Sequence, residues 1–176
     1  MAAVVGEVDG VAVLDQDERV ARLCFKADFP ITHDDHFPSE IDPETRLYQL
    51  EEFQWKDFST PERGGFSVQR MSLSGRSQAR EILADRIRRK TERGKPTNGY
   101  DLEGVVVALV GEIGSIKDTD GADAFIVSPT PMPENAAHAA IRTSGRYDSA
   151  RFLKYRLLLQ RVFGQLQPLT VLSGEE

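Results

Sequence analysis

The run "PTPMPENAAHAAIR", Pro129 to Arg142, sets three prolines before an acid, an amide and an imidazole at Glu134, Asn135 and His138. Histidine gives or takes a proton near neutral pH, so His138 is a candidate acid–base group. A helix starting after Pro133 would put Glu134 and His138 four apart on one face. A turn leading into a strand would let Asn135 bond its own backbone and send His138 to one side of a sheet. The prolines favour the turn, because proline donates no ladder hydrogen bond. A structural histidine bonding a buried carbonyl is the plain alternative to a catalytic or ligand-binding one. Glu134 and Asn135 are expected to bind beside it.

Two other clusters carry chemistry. In "HDDHF", His33, Asp35 and His36 are residue types that hold divalent ions. Their spacing matches no standard ligand pattern, and a solvated acidic loop with surface histidines is the preferred reading, so neither metal nor other cofactor is expected. "GGFSVQR" offers Ser67 as a binding group and Arg70 as an anion holder. If the fold brings His36, Arg70 and His138 into one concave pocket, the chain has a candidate catalytic set. The familiar signatures of phosphate loops, dinucleotide-binding turns, nucleophile elbows and zinc proteases are absent from the sequence.

These residues must be positioned by short elements. Val11–Leu14 and Val20–Phe25 read as a hairpin across "DQDE", and Arg46–Leu50 as a strand after an irregular acidic loop at about 27–45. Phe66–Met71 alternates in the strand manner, with Phe66, Val68 and Arg70 on one side and Ser67 and Gln69 on the other. Ser74 looks like the N-cap of a helix whose buried stripe is Ala79, Ile82, Leu83 and Ile87, with Gly94 as its stop. Arg86, Arg89, Lys90 and Arg93 fall on its outer surface. Val105–Val110 is an apolar, β-branched run expected to be a central strand. Ala124–Val127 is a shorter strand, and Ser149–Phe163 a helix capped by Asp148 or Ser149. The expected fold is one α+β domain over 1–167, a mainly antiparallel sheet with two packed helices, followed by a frayed tail at 168–176.

Composition narrows the function classes. Of 176 residues, 40% are hydrophobic and 28% charged, which suits one globular domain with a substantial core. No apolar run approaches the roughly 20 residues of a membrane helix. The start lacks the pattern of a signal peptide. The single cysteine, Cys24, excludes an internal disulfide and reads as a buried thiol, so a cytoplasmic setting is expected. The net charge is −6. Residues 1–63 hold 15 acids against 6 bases, whereas Arg76 to Lys95 holds 8 bases against 3 acids. Such segregation makes a nucleic-acid partner unlikely, since phosphate binding needs a dominant positive field. It suits docking of a protein partner, through the basic helix 75–93 with Arg86, Arg89 and Arg93, or through the acidic N-terminal half. RNA binding by the same helix lacks exposed aromatics to stack bases.

Together, "DHFPSEIDPETRLYQLEEF", "GGFSVQR", the apolar strand and "PMPENAAHAAIR" resemble a group of small uncharacterised bacterial proteins. In that group an HF-type start precedes a G-[LF]-S-V-x-R strand and a later N-x-A-H-A-x-I segment. The resemblance spans roughly residues 35–142. The acidic start at 1–30 departs from it, as does Ala136, where the pattern has proline. It implies a bacterial context and singles out His36, Gly65, Ser67, Arg70, Asn135 and His138, with no established reaction. The resulting expectation is a non-enzymatic cytoplasmic protein that binds a partner protein, as a component of a toxin–antitoxin or phage-defence type multi-gene system. The rival is a small enzyme acting on a phosphate-bearing or nucleotide substrate through His36, Arg70 and His138.

Overall fold

Alternation along "RVARLCFK" and "FSVQR" builds the centre of the molecule. In the computed structural model, which describes residues 6–8, 10–31, 37–50, 58 and 65–173, strands β1 (Gly6–Val8) and β2 (Val11–Val13) form a two-stranded ribbon. Strands β3 (Arg19–Lys26), β4 (Phe66–Arg70), β5 (Asp101–Leu109), β6 (Phe125–Pro129) and β7 (His138–Thr143) form an antiparallel sheet in the order β5-β3-β4-β7-β6. Helix α1 (Arg76–Glu92) lies on one face of this sheet and helix α3 (Ser149–Phe163) on the other. A short helix α2 (Val110–Gly114) continues from β5. This is a single α+β domain.

The two faces bury different clusters. Val20, Phe66, Val68, Val106, Val127 and Ile141 pack with Phe152, Tyr155, Leu159 and Phe163 of α3. Phe58 stacks on Phe66 at 5.6 Å between ring centres and meets Phe152 at 5.5 Å, so aromatic rings tie α3 to the sheet. On the other face, Ala79, Ile82, Leu83 and Ile87 of α1 pack over Ala21, Leu23, Phe25 and Val105. The stripe read from the helix sequence is therefore its buried side. That apolar floor lies on β3 and β5. Towards β4 and β7 the same face becomes polar.

Several local expectations give way to tertiary contacts. Val105, Val106, Ala108 and Val110 are buried and Val107 and Leu109 half-buried, yet β5 is an edge strand beside β3, and Val110 already belongs to α2. Its outer side is covered by the C-terminal segment, where Val105 N–H bonds Gln167 C=O at 2.9 Å and the reverse bond is 2.7 Å. A covered edge can be as apolar as a central strand. The expected tail does not fray through residue 173: Leu172 is buried and Ser173 bridges Gly75. The Ser173 carbonyl accepts from Arg76 N–H at 3.0 Å. The helix start is thus satisfied from a distant segment, Gly75 is the N-cap, and the Ser74 hydroxyl makes no cap bond. Val11–Val13 pairs with Gly6–Val8 instead of with β3. Residues 46–50 form only isolated bridges, Ile41 to Tyr48 and Leu47 to Gln165, and not a strand. Asp148 caps α3 by accepting from Arg151 N–H, and Gly94 ends α1 with φ +65°.

Candidate functional site

His138 opens β7 directly after a tight turn. Asn135 N–H bonds Met132 C=O at 2.9 Å, and Met132 N–H bonds Asn135 C=O at 3.0 Å. Pro133 sits at the second position of that turn, where its fixed φ is favourable. The turn is the one expected, and the helix alternative is not formed. Thr130 N–H then bonds His138 C=O at 3.0 Å, which sets Thr130 across from the histidine.

Register brings His138 to Ser67. Gln69 is paired with His138 and Ser67 with Ala140, so Ser67 and His138 are diagonal neighbours on one face of the sheet. Ser67 Oγ lies 2.8 Å from His138 Nε2. The other ring nitrogen, Nδ1, lies 2.9 Å from the Thr130 carbonyl oxygen and 2.8 Å from Thr130 Oγ1. A carbonyl oxygen cannot face a lone pair at that distance without a proton between them. In the neutral imidazole Nδ1 therefore carries the proton and donates to Thr130, while Nε2 is left to accept from the Ser67 hydroxyl. Below them the Ser67 carbonyl accepts from Arg22 Nη1 at 2.9 Å, and the Arg22 guanidinium lies 4.7 Å from the centre of the Phe66 ring.

Ser67, His138 and Arg22 line a pocket of about 410 Å³ between α1 and the polar half of the sheet. Ser67, Gln69 and His138 come from the sheet, and Met132, Glu134 and Asn135 from the turn. The helix contributes Gln78, Ile82, Arg86 and Arg89, among others. Gln78 Nε2 donates to Asn135 Oδ1 at 3.0 Å, which joins helix to turn across the pocket. Gln69 is buried and its Oε1 has no hydrogen-bond partner among the described residues. An amide with an unsatisfied end is costly in a closed core and is tolerable beside a space that a polar molecule can enter.

Six residues anticipated as site candidates thus line one space: Ser67, Arg86, Arg89, Glu134, Asn135 and His138. Arg70 is not among them. It follows Gln69 in the strand, so its side chain passes to the opposite face, and its Nη2 lies 3.5 Å from Glu18, with both side chains buried. Arg70 and His138 therefore do not face one pocket. Arg93 is the C-cap residue of α1 and does not line the pocket. His33, Asp35 and His36 lie outside the described residues. Among the described residues no group of three or more His, Cys, Asp and Glu could hold a metal ion.

The charge of α1 is partly spent within the helix. Arg88 pairs with Asp85 and Glu92, and Arg89 Nε lies 2.7 Å from Asp85. Arg86 stands 4.1 Å over the Phe25 ring and reaches the Tyr100 hydroxyl at 3.5 Å. Burial pushes the Tyr100 phenol up and the neighbouring Lys90 ammonium down. Lys90 sits 4.9 Å from the Tyr100 ring, in a cation–aromatic stack along the helix flank.

Thr130 and Gln78 escaped the reading of the sequence. The signal for Thr130 was the turn itself, because a two-residue turn with a short return places flanking residues opposite each other. Gln78 carried no signal beyond its place in the first turn of the helix. No family model, curated protein or solved structure matches this chain.

Proposed function

We propose that this chain binds a small phosphate-bearing molecule of the nucleotide class in the pocket between α1 and β4–β7. The observation that carries the reading is the convergence of Ser67, Gln69, Gln78, Asn135 and His138, from sheet, helix and turn, on one space of about 410 Å³. That volume lies in the range of small-molecule sites. Side-chain amides offer donors and acceptors side by side, which suits the hydrogen-bonding edge of a base. Ile82 and Leu23 supply apolar surface for its ring, and Arg86, which forms no ion pair among the described residues, supplies a cation for a phosphate, whereas Arg89 is held by Asp85. The catalytic set drawn from His36, Arg70 and His138 is replaced in this reading by His138 with Ser67. A cytoplasmic setting fits the buried Cys24 thiol, and a bacterial one rests on the sequence resemblance; no helix is long and apolar enough to cross a membrane among the described residues.

Titration calorimetry with AMP, GMP, CMP and UMP tests the reading. At least one should bind at a single site, and Asn135→Ala should weaken it about tenfold or more, the effect of one lost buried hydrogen bond. Binding of none of the four would end the nucleotide reading. A protein partner in a multi-gene defence system is the other proposal. It would dock on the basic helix α1 or on the acidic N-terminal half, and reversing Arg86, Arg89 and Arg93 to glutamate would abolish it, with Arg93→Glu alone, outside the pocket lining, weakening docking but not ligand binding. The ion pairs of Arg88 and Arg89 with Asp85 and Glu92 leave less net charge there than the composition suggests, so the geometry favours the pocket.

A further inference from the structure

We infer that Ser67 is a nucleophile and His138 its general base, so that the pocket hydrolyses a carboxylic ester carried by its ligand. The inference rests on the pocket being a ligand site and adds a reaction to it. Three observations support it. The Ser67 hydroxyl lies 2.8 Å from His138 Nε2. The Thr130 carbonyl, 2.9 Å from Nδ1, fixes the tautomer in which Nε2 can accept a proton. Both Ser67 and His138 line the pocket, where an ester can reach them. A nucleophile, a base and a third group that orients the base are the parts of an activated hydroxyl, whatever fold carries them.

The remaining need is a donor for the oxyanion. The Gln78 bond to Asn135 Oδ1 makes that oxygen the acceptor end of the amide, so Nδ2 is the end left to donate. In the first step His138 Nε2 takes the Ser67 proton as Oγ bonds to the ester carbonyl carbon. The carbon–alkoxy bond then breaks, and the alcohol leaves with the proton from His138. In the second step a water gives a proton to Nε2 and its oxygen bonds to the acyl carbon. The bond to Oγ breaks, Ser67 regains its proton, and the carboxylic acid leaves. No metal, oxidant or reductant enters the balance.

The experiment treats the full chain with diisopropyl fluorophosphate and locates the adduct by peptide mass. The expected result is one adduct on Ser67, absent in Ser67→Ala and formed about a hundredfold more slowly in His138→Gln, which keeps an amide able to bond Ser67 but is no base. p-Nitrophenyl acetate should leave an acetyl group on Ser67 when the reaction is quenched in acid. Labelling elsewhere, no labelling, or equal rates for native protein and His138→Gln would overturn the inference and leave the pair as a cross-strand structural bond. Binding of a nucleoside monophosphate without labelling would refute only the nucleophile. Ser67 labelling that no nucleoside monophosphate slows would refute only the nucleotide class.

Discussion

At the scale of single residues, the fold divides neighbours by face, and that division decides their roles. Ser67 and Gln69 enter the pocket, while Arg70 turns away to Glu18. The Glu18 carboxylate also accepts from Ser72 Oγ at 2.6 Å, so the pair closes the β2–β3 turn against the end of β4. Arg70→Met should destabilise the protein by about 3–5 kcal/mol, because it strands a buried carboxylate. Adding Glu18→Gln should recover part of that loss, which chemical denaturation of the single and double variants measures. The alternation of "FSVQR" made this split legible in the sequence. The distance from Arg70 to His138 was not, because pairing register is set by contacts between distant segments.

The elements hold the site through close backbone approach. Gly65, at the start of β4, has φ +124°, and an added Cβ would lie 2.8 Å from the Ala140 Cβ on β7. Gly65→Ala should therefore push β4 from β7, separating Ser67 from His138. We expect a loss of at least about 1 kcal/mol in stability, with the histidine ring resonances shifted in NMR spectra. Cys24 lies in the middle of β3 with no exposure, and burial pushes its thiol up. It should stay unlabelled by iodoacetamide in the native protein and react fully in denaturant, which makes it a probe of sheet opening. Rapid labelling under native conditions would contradict the packing of β3. Strands β2, β3, β4, β5 and β6 and both long helices were legible as elements, though not the pairing of β2. The edge position of β5 was not, since its cover is Gln167. The cap of α1 was hidden for the same reason, because a backbone carbonyl from Ser173 took the place of Ser74.

At the scale of the whole molecule, the C-terminal segment is a strap that joins the β5 edge to the start of α1, and α1 is the wall of the pocket. Leu172 is 2% exposed, so Leu172→Ala should cost about 2 kcal/mol and lower the thermal midpoint. The same loosening should weaken ligand binding, because Gln78 lies in the first turns of the strapped helix. On this proposal the polar half of the sheet beneath α1 is a ligand site. Titration of isotope-labelled protein with each nucleoside monophosphate, followed by NMR, tests it most directly. The expected result is saturable shifts of the His138 ring and of the Gln69, Gln78 and Asn135 side-chain amides with at least one of them, while Arg93 stays unmoved. Shifts that map to the outer face of α1 or to α3, or no shifts with any of the four, would contradict it.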